Sequence, residues 1–268
     1  MRLSPGIQNF ARLRDSGSFV DKTEMIARML EGRSDLYLFL RPRRFGKSLN
    51  LSMMDYYFSL KHAESNAATG RFRGLRITEL RPDDPEMNSH PTVMLDMKDL
   101  DHRDYGGFLD GVADKMMFLY DSFPEIAGSD RVSPAYGAVY REVLGRTTDE
   151  NRLCGSLMNL SKMLAAHHGR GTVVLMDEYD YAANLADDPE VRSRILDFME
   201  RFVSSAFKGN DSLFLGVVTG VMQVAKESMF SGFNSARVDS VLSTGFDDMY
   251  GFTESEVDGI CRSMGCAG

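Results

Sequence analysis

Residues 36–48 read Leu36-Tyr-Leu-Phe-Leu-Arg-Pro-Arg-Arg-Phe-Gly-Lys-Ser48, and this stretch decides the fold. Its first five residues are continuously apolar and bounded by polar ones, as in a strand buried on both faces of a sheet. The strand cannot continue, because Pro42 has no N–H for the ladder and Gly46 breaks the pattern. From Lys47 onward, Leu49, Met53, Tyr56, Tyr57 and Leu60 recur at helical spacing. The segment is therefore a strand, a loop and a helix in direct succession. Such a unit suits an anion, since loop N–H groups can surround phosphate oxygens and the positive end of the helix dipole faces them. Gly46 permits close backbone approach, Lys47 can reach β- and γ-phosphates, and Ser48 offers a hydroxyl oxygen to Mg²⁺.

The match to G-x-x-x-x-G-K-[ST] is partial, because Arg41 stands at the first Gly position. Taken alone, Gly46-Lys47-Ser48 reads equally well as a basic helix start with solvated side chains; the flanking strand and helix favour the phosphate loop. Arg43 and Arg44 add two permanent cations, either contacting the γ-phosphate or lying as ordinary surface charges. The nucleotide-contacting set expected from the loop is Arg43, Arg44, Phe45, Gly46, Lys47, Ser48 and Leu49.

Working outward, further apolar runs at 91–97, 172–176 and 212–219, and a weaker one at 238–243, read as strands. Helical patterns fill 23–31, 106–122, 134–168 and 189–207, while 61–90 reads as a polar excursion with little regular structure. Strands alternating with helices predict an α/β, three-layer P-loop NTPase sandwich with a mostly parallel central sheet. In such sheets, ligands lie beyond the carboxyl ends of the strands. That rule brings together residues far apart in sequence. Asp177 and Glu178 follow the third strand, where the first can orient Mg²⁺ and the second can activate water. Acidic strand ends also serve as caps for the next helix, the reading preferred for Asp180. Thr219 ends the fourth strand and can touch the γ-phosphate or the attacking water; Asp96 ends the second and reads first as a turn cap.

The chain has 268 residues, 43% hydrophobic and 26% charged, enough for one sizeable core. Its net charge of −8 disfavours general binding to nucleic acid or anionic membrane but leaves a local basic patch open. Three sparse cysteines fit a reducing cytoplasm. No apolar run reaches the roughly 18 residues of a membrane span, and the opening Met-Arg-Leu-Ser-Pro-Gly lacks a signal-peptide pattern. His167-His168 reads as two histidines near the negative end of a helix dipole rather than a metal site.

Several stretches together resemble the predicted AAA-ATPase-like proteins of bacteria. They are GIQNFARLRDSGSFVDKT (6–23), LFLRPRRFGKSLNLSMMDYYF (38–58), FRGLRI (72–77), VVLMDEYD (173–180), FLGVVTGVMQVAKESMFSGFN (214–234) and STGFDDMYGFTESEV (243–257). They run in order through nearly the whole chain, and RPRRFGKS looks like that family's own form of the loop. The resemblance implies a P-loop NTPase with an extra strand between its two Walker motifs. Gly46, Lys47 and Ser48 would form Walker A, Asp177 and Glu178 Walker B, and Thr219 the sensor position. Longer members look to carry a C-terminal PD-(D/E)XK nuclease-like domain. The expected organisation is an ATPase-like domain over 1–252, with 253–268 beginning a C-terminal helix or linker that Thr253-Glu-Ser-Glu256 opens as a capping box. Asp21, Lys22 and Thr23 match the family near a nucleotide base, although a helix cap is the preferred reading.

Three activities fit these residues. The first is Mg²⁺-dependent ATP hydrolysis driving a conformational change. The second is a nucleotide-gated module acting on a homo-oligomer, a partner protein or an attached nuclease-like domain. The third is a small-molecule kinase with Asp96 as base. A GTPase is disfavoured, because no N-K-x-D motif occurs.

Overall fold

The computed structural model describes residues 6–221 and 236–265. Five strands, β1 (Leu36–Leu40), β2 (Thr92–Asp96), β3 (Thr172–Asp177), β4 (Leu213–Gly220) and β5 (Ala236–Asp239), form one sheet in the order β2-β3-β4-β1-β5. Every pairing is parallel, so the sheet is wholly rather than mostly parallel among the described residues. The strand inserted between β1 and β3 in space is β4, which comes later in the chain than either.

The helices, in chain order, are α1 (Phe10–Asp15), α2 (Glu24–Gly32), α3 (Lys47–Phe58), α4 (Ala63–Thr69), α5 (Arg76–Leu80), α6 (Tyr105–Asp121), α7 (Pro134–Leu144), α8 (Glu150–His168), α9 (Tyr181–Leu185), α10 (Pro189–Phe207) and α11 (Glu254–Met264). The alternation of side chains along each strand sorts the core into two layers. Leu36, Leu38, Leu40, Val174, Met176 and Val218 pack into the cluster beneath α6, α7, α8 and α10. Tyr37, Phe39, Val173, Leu175 and Val217 enter the opposite cluster with α1, α2 and α3. Both faces of the sheet are thus dry, which is why these strands read as unbroken apolar runs. No helix among the described residues is long and apolar enough to cross a membrane.

Two expectations need correction. The 61–90 excursion is helical rather than irregular: a 3-10 turn at Leu60–His62 and α4 and α5 occupy much of it. Its polar composition reflects short helices that bury only a residue or two each, Asn66 in α4 and Ile77 in α5. The last strand lies at Ala236–Asp239, earlier than the 238–243 run, and Val241 and Leu242 are exposed after it. The capping box is present as read, with the Thr253 hydroxyl accepting from the Glu256 N–H and the Glu256 carboxylate accepting from the Thr253 N–H.

Candidate active site

Parallel strands put all their carboxyl ends on one edge. The helix after β1 packs on one face of the sheet and the helices after β3 on the other, so the chain leaves this edge in opposite directions, the arrangement at which parallel α/β sheets bind ligands. In register, Leu40 pairs with Gly220 and Asp96 with Asp177, which aligns the loops that leave β1, β2, β3 and β4.

The Arg41 N–H donates to the Gly220 carbonyl at 3.1 Å, and the loop then turns through Arg44 (φ 70°) and Gly46 (φ 84°) into α3. A Cβ at Gly46 would meet nothing within 4 Å, so the left-handed backbone rather than crowding selects glycine. As N-cap, Gly46 brings no side chain, and no side-chain acceptor caps the start of α3. That start retains the dipole and N–H groups an anion uses.

Lys47 is buried, and its ammonium donates to the carbonyls of Arg41 and Pro42 at 3.0 and 3.1 Å. Burial pulls its pKa below the ordinary lysine value, opposed by Asp177, Glu178 and Asp180. The two halves read in the sequence therefore share one electrostatic environment. They also touch. The Ser48 hydroxyl donates to Asp177 Oδ2 at 2.5 Å, and the Thr219 hydroxyl donates to Asp177 Oδ1. The Glu178 N–H is the third donor to this carboxylate, reaching Oδ1 at 3.0 Å. The buried Asp177 carboxylate is thus held between the first turn of α3 and the end of β4.

Glu178 follows in a left-handed conformation (φ 49°), unusual for a non-glycine residue and common where a site fixes a side chain against local preference. Burial, then Asp177 and Asp96, push its pKa above the usual glutamate value. Asp96 is likewise raised, by burial and by Asp177, and its Oδ1 accepts from the Lys98 N–H at 2.8 Å, the expected turn cap. Arg43 and Arg44 are exposed, and the positive charge of Arg43 is felt at Lys47. Leu49 is half-buried, and Phe45 remains 41% exposed.

The residue at the first glycine position of the consensus has a different task. Arg41 is buried, and its guanidinium meets Asp239 Oδ1 at 2.5 Å, donates to the Leu40 and Asp239 carbonyls and lies 4.9 Å from the Tyr250 ring centre. It braces the loop against β5. Asp180 also departs from expectation: its Oδ2 accepts from the Val221 N–H and the Asn184 amide, so it secures the chain after β4 instead of capping the first turn of α9. Asp21 and Thr23 hold the start of α5 through the N–H groups of Arg76 and Ile77. Lys22 pairs with Glu256 at 2.6 Å. The expected cap of α2 is thus not formed, since its N-cap Thr23 makes no side-chain capping bond and the Asp21 and Thr23 side chains serve α5 instead. His167 meets the Ser129 hydroxyl, and His168 lies 3.6 Å from Glu125.

Ser48 and Asp177 present hydroxyl and carboxylate oxygens, the hard donors that suit Mg²⁺. Among the described residues no group of three or more His, Cys, Asp or Glu could hold a metal unaided. Mg²⁺ bound beside a polyphosphate needs no such cage, since it takes one or two protein ligands plus phosphate and water.

A five-stranded parallel sheet with a lysine at the start of the helix after β1 and carboxylates at the end of β3, across the intervening β4, defines a P-loop NTPase-like α/β sandwich. More particularly, the chain belongs to the family described as Predicted AAA-ATPase, matched over residues 4–230, and so to the ATP-binding NTPases. It is also similar to a protein of Azotobacter chroococcum mcd 1 named "Uncharacterized protein in vnfD 5'region", with 28% identity over 263 residues. That similarity covers 97% of this chain and 44% of the relative, so the chain spans less than half the relative's length. No solved structure matches.

Proposed function

We propose that the chain binds ATP with Mg²⁺ at the carboxyl edge of β1, β4 and β3 and hydrolyses it, coupling turnover to a conformational change. The observation that carries this reading is the Asp177 carboxylate, held by hydroxyls from both Ser48 and Thr219 next to Lys47. The loop N–H groups and Lys47 bind the β- and γ-phosphates, with Arg43 and Arg44 adding positive charge at the rim. Ser48 and Asp177 hold Mg²⁺, which when bound offsets charge on the phosphate oxygens. Glu178 accepts a proton from the attacking water, and Thr219 positions the water or the γ-phosphate. The test is phosphate release by the purified chain with and without Mg²⁺. Glu178→Gln should retain ATP binding and lose turnover; equal turnover in the variant rejects the assignment.

A second reading is a nucleotide-gated module with little hydrolysis of its own. It is favoured by the greater length of the relative, which leaves room for an effector region, nuclease-like in the family resemblance. A second copy supplying an arginine would fit as well, since such a residue is worth about 10³–10⁵ in rate. Turnover that rises faster than protein concentration would identify the assembly as the active form. A kinase with Asp96 as base ranks last, because one of its oxygens already caps the Lys98 turn. A reducing cytoplasmic setting accords with the free thiols at Cys154 and Cys261.

A further inference from the structure

Beside the loop, two phenylalanines stand exposed where nothing in the fold requires them. Phe45 is 41% exposed and Phe252 is 61% exposed. Phe45 immediately precedes Gly46, and its carbonyl accepts from the Gly251 N–H at 3.1 Å. A backbone hydrogen bond therefore holds Phe45 against the residue that precedes Phe252, beside the loop. Gly251 has φ 69°, and a Cβ there would sit 3.3 Å from the Phe45 ring. Glycine thus serves both the turn and the close approach of the Phe45 ring.

The segment bearing Phe252 is fixed to the loop and to α3 by further ties. The Asn50 amide donates to the Met249 carbonyl at 3.0 Å. Tyr250 lies under the Arg41 guanidinium and 5.3 Å from the Phe39 ring. The Lys22 ammonium donates to the Asp248 carbonyl at 2.6 Å. Ordinary exposed phenylalanines need no explanation. Here two exposed aromatic residues are held beside the proposed anion-binding loop, and the residues just before Phe252 are bonded to that loop and its helix. The arrangement is preorganised for a ligand with a flat apolar face and a negatively charged tail.

We infer that Phe252, together with Phe45, forms the stacking platform for the purine base of the bound nucleotide. This rests on the proposed phosphate site and extends it to the other end of the same ligand. Stacking on an aromatic face tolerates different bases, so the platform binds a purine without by itself selecting adenine.

The test compares two probes, Mg²⁺ with ATP and Mg²⁺ with inorganic tripolyphosphate, by calorimetric titration of the wild-type chain, Phe252→Ala and Phe252→Tyr. The tripolyphosphate carries the charge and lacks the base. Phe252→Ala should weaken ATP binding about tenfold or more and leave tripolyphosphate binding unchanged, and Phe252→Tyr should keep wild-type affinity for both. An unaltered thermal midpoint in each variant establishes that the fold is intact. Three results overturn the inference while leaving the phosphate site standing. They are an unchanged ATP affinity in Phe252→Ala, an equal loss for both probes, or wild-type binding of ATP no tighter than tripolyphosphate. Failure of the wild-type chain to bind either probe removes the phosphate site and the base platform together.

Discussion

Arg41 and Asp239, separated by 198 residues of chain, form a buried ion pair at 2.5 Å that closes the loop after β1 onto the end of β5. The guanidinium at the first loop position is thereby directed into the protein, where it also meets two carbonyls and an aromatic face. A residue that reads in the sequence only as a departure from the glycine of the consensus is instead a brace that fixes the loop's starting point.

Removing one partner should be far worse than removing both. Arg41→Met leaves the buried Asp239 carboxylate without its cation, a change that costs about 3–5 kcal/mol. The double variant Arg41→Met/Asp239→Leu has no stranded charge and should recover most of that loss. Urea unfolding of the three proteins checks this; single and double variants of equal stability would contradict the brace.

Thr219 makes a prediction about the neighbouring strand. Thr219→Val keeps the shape of the side chain and deletes the hydroxyl that Asp177 Oδ1 accepts. Loss of one donor to a buried carboxylate should cost about 1–3 kcal/mol, and turnover should fall with it. Thr219→Ser restores the hydroxyl and should restore both. If the serine variant stays as unstable as the valine variant, the methyl group rather than the hydroxyl is what matters.

The sheet and the meeting of Lys47 with Asp177 were legible because they follow from local patterns and one topological rule. Unbroken apolar runs marked buried strands, and parallel strands must deliver their carboxyl ends to a single edge. The brace at Arg41, the role of Asp180 and the platform at Phe252 were not legible. Each depends on a partner placed by tertiary packing, such as Asp239, Val221 or Phe45. The helices in 61–90 were hidden for another reason: α4 and α5 each bury a single residue, leaving no periodic apolar face to detect.

The environment of Glu178 gives a prediction with a definite sign. Burial and two neighbouring carboxylates raise its folded pKa above the 4.5 of a free glutamate. The folded chain therefore holds this proton more tightly than the unfolded chain, and the ionised form opposes folding. The penalty is absent below pH 4.5, grows as pH rises through the folded pKa, and is complete above it. Glu178→Gln should accordingly melt higher than wild type at neutral pH, with the advantage shrinking as pH falls towards 4.5. Turnover should show an acid limb displaced above the ordinary glutamate range. Melting curves and rates across pH check both; a variant less stable than wild type at neutral pH contradicts the sign.

Lys47 joins the phosphate reading to that pH dependence. Lys47→Met removes the buried ammonium that donates to the Arg41 and Pro42 carbonyls and that eases ionisation of Glu178. ATP binding should weaken by roughly 10- to 100-fold, the range expected for losing a hydrogen bond to a charged group. Residual turnover should show its acid limb at still higher pH, because Glu178 loses the larger of its favourable charges. A purely structural lysine would change the melting temperature without moving that limb. Titration calorimetry and pH–rate profiles on the same preparation separate the cases, and an unshifted limb with wild-type ATP affinity would place the triphosphate somewhere other than this loop.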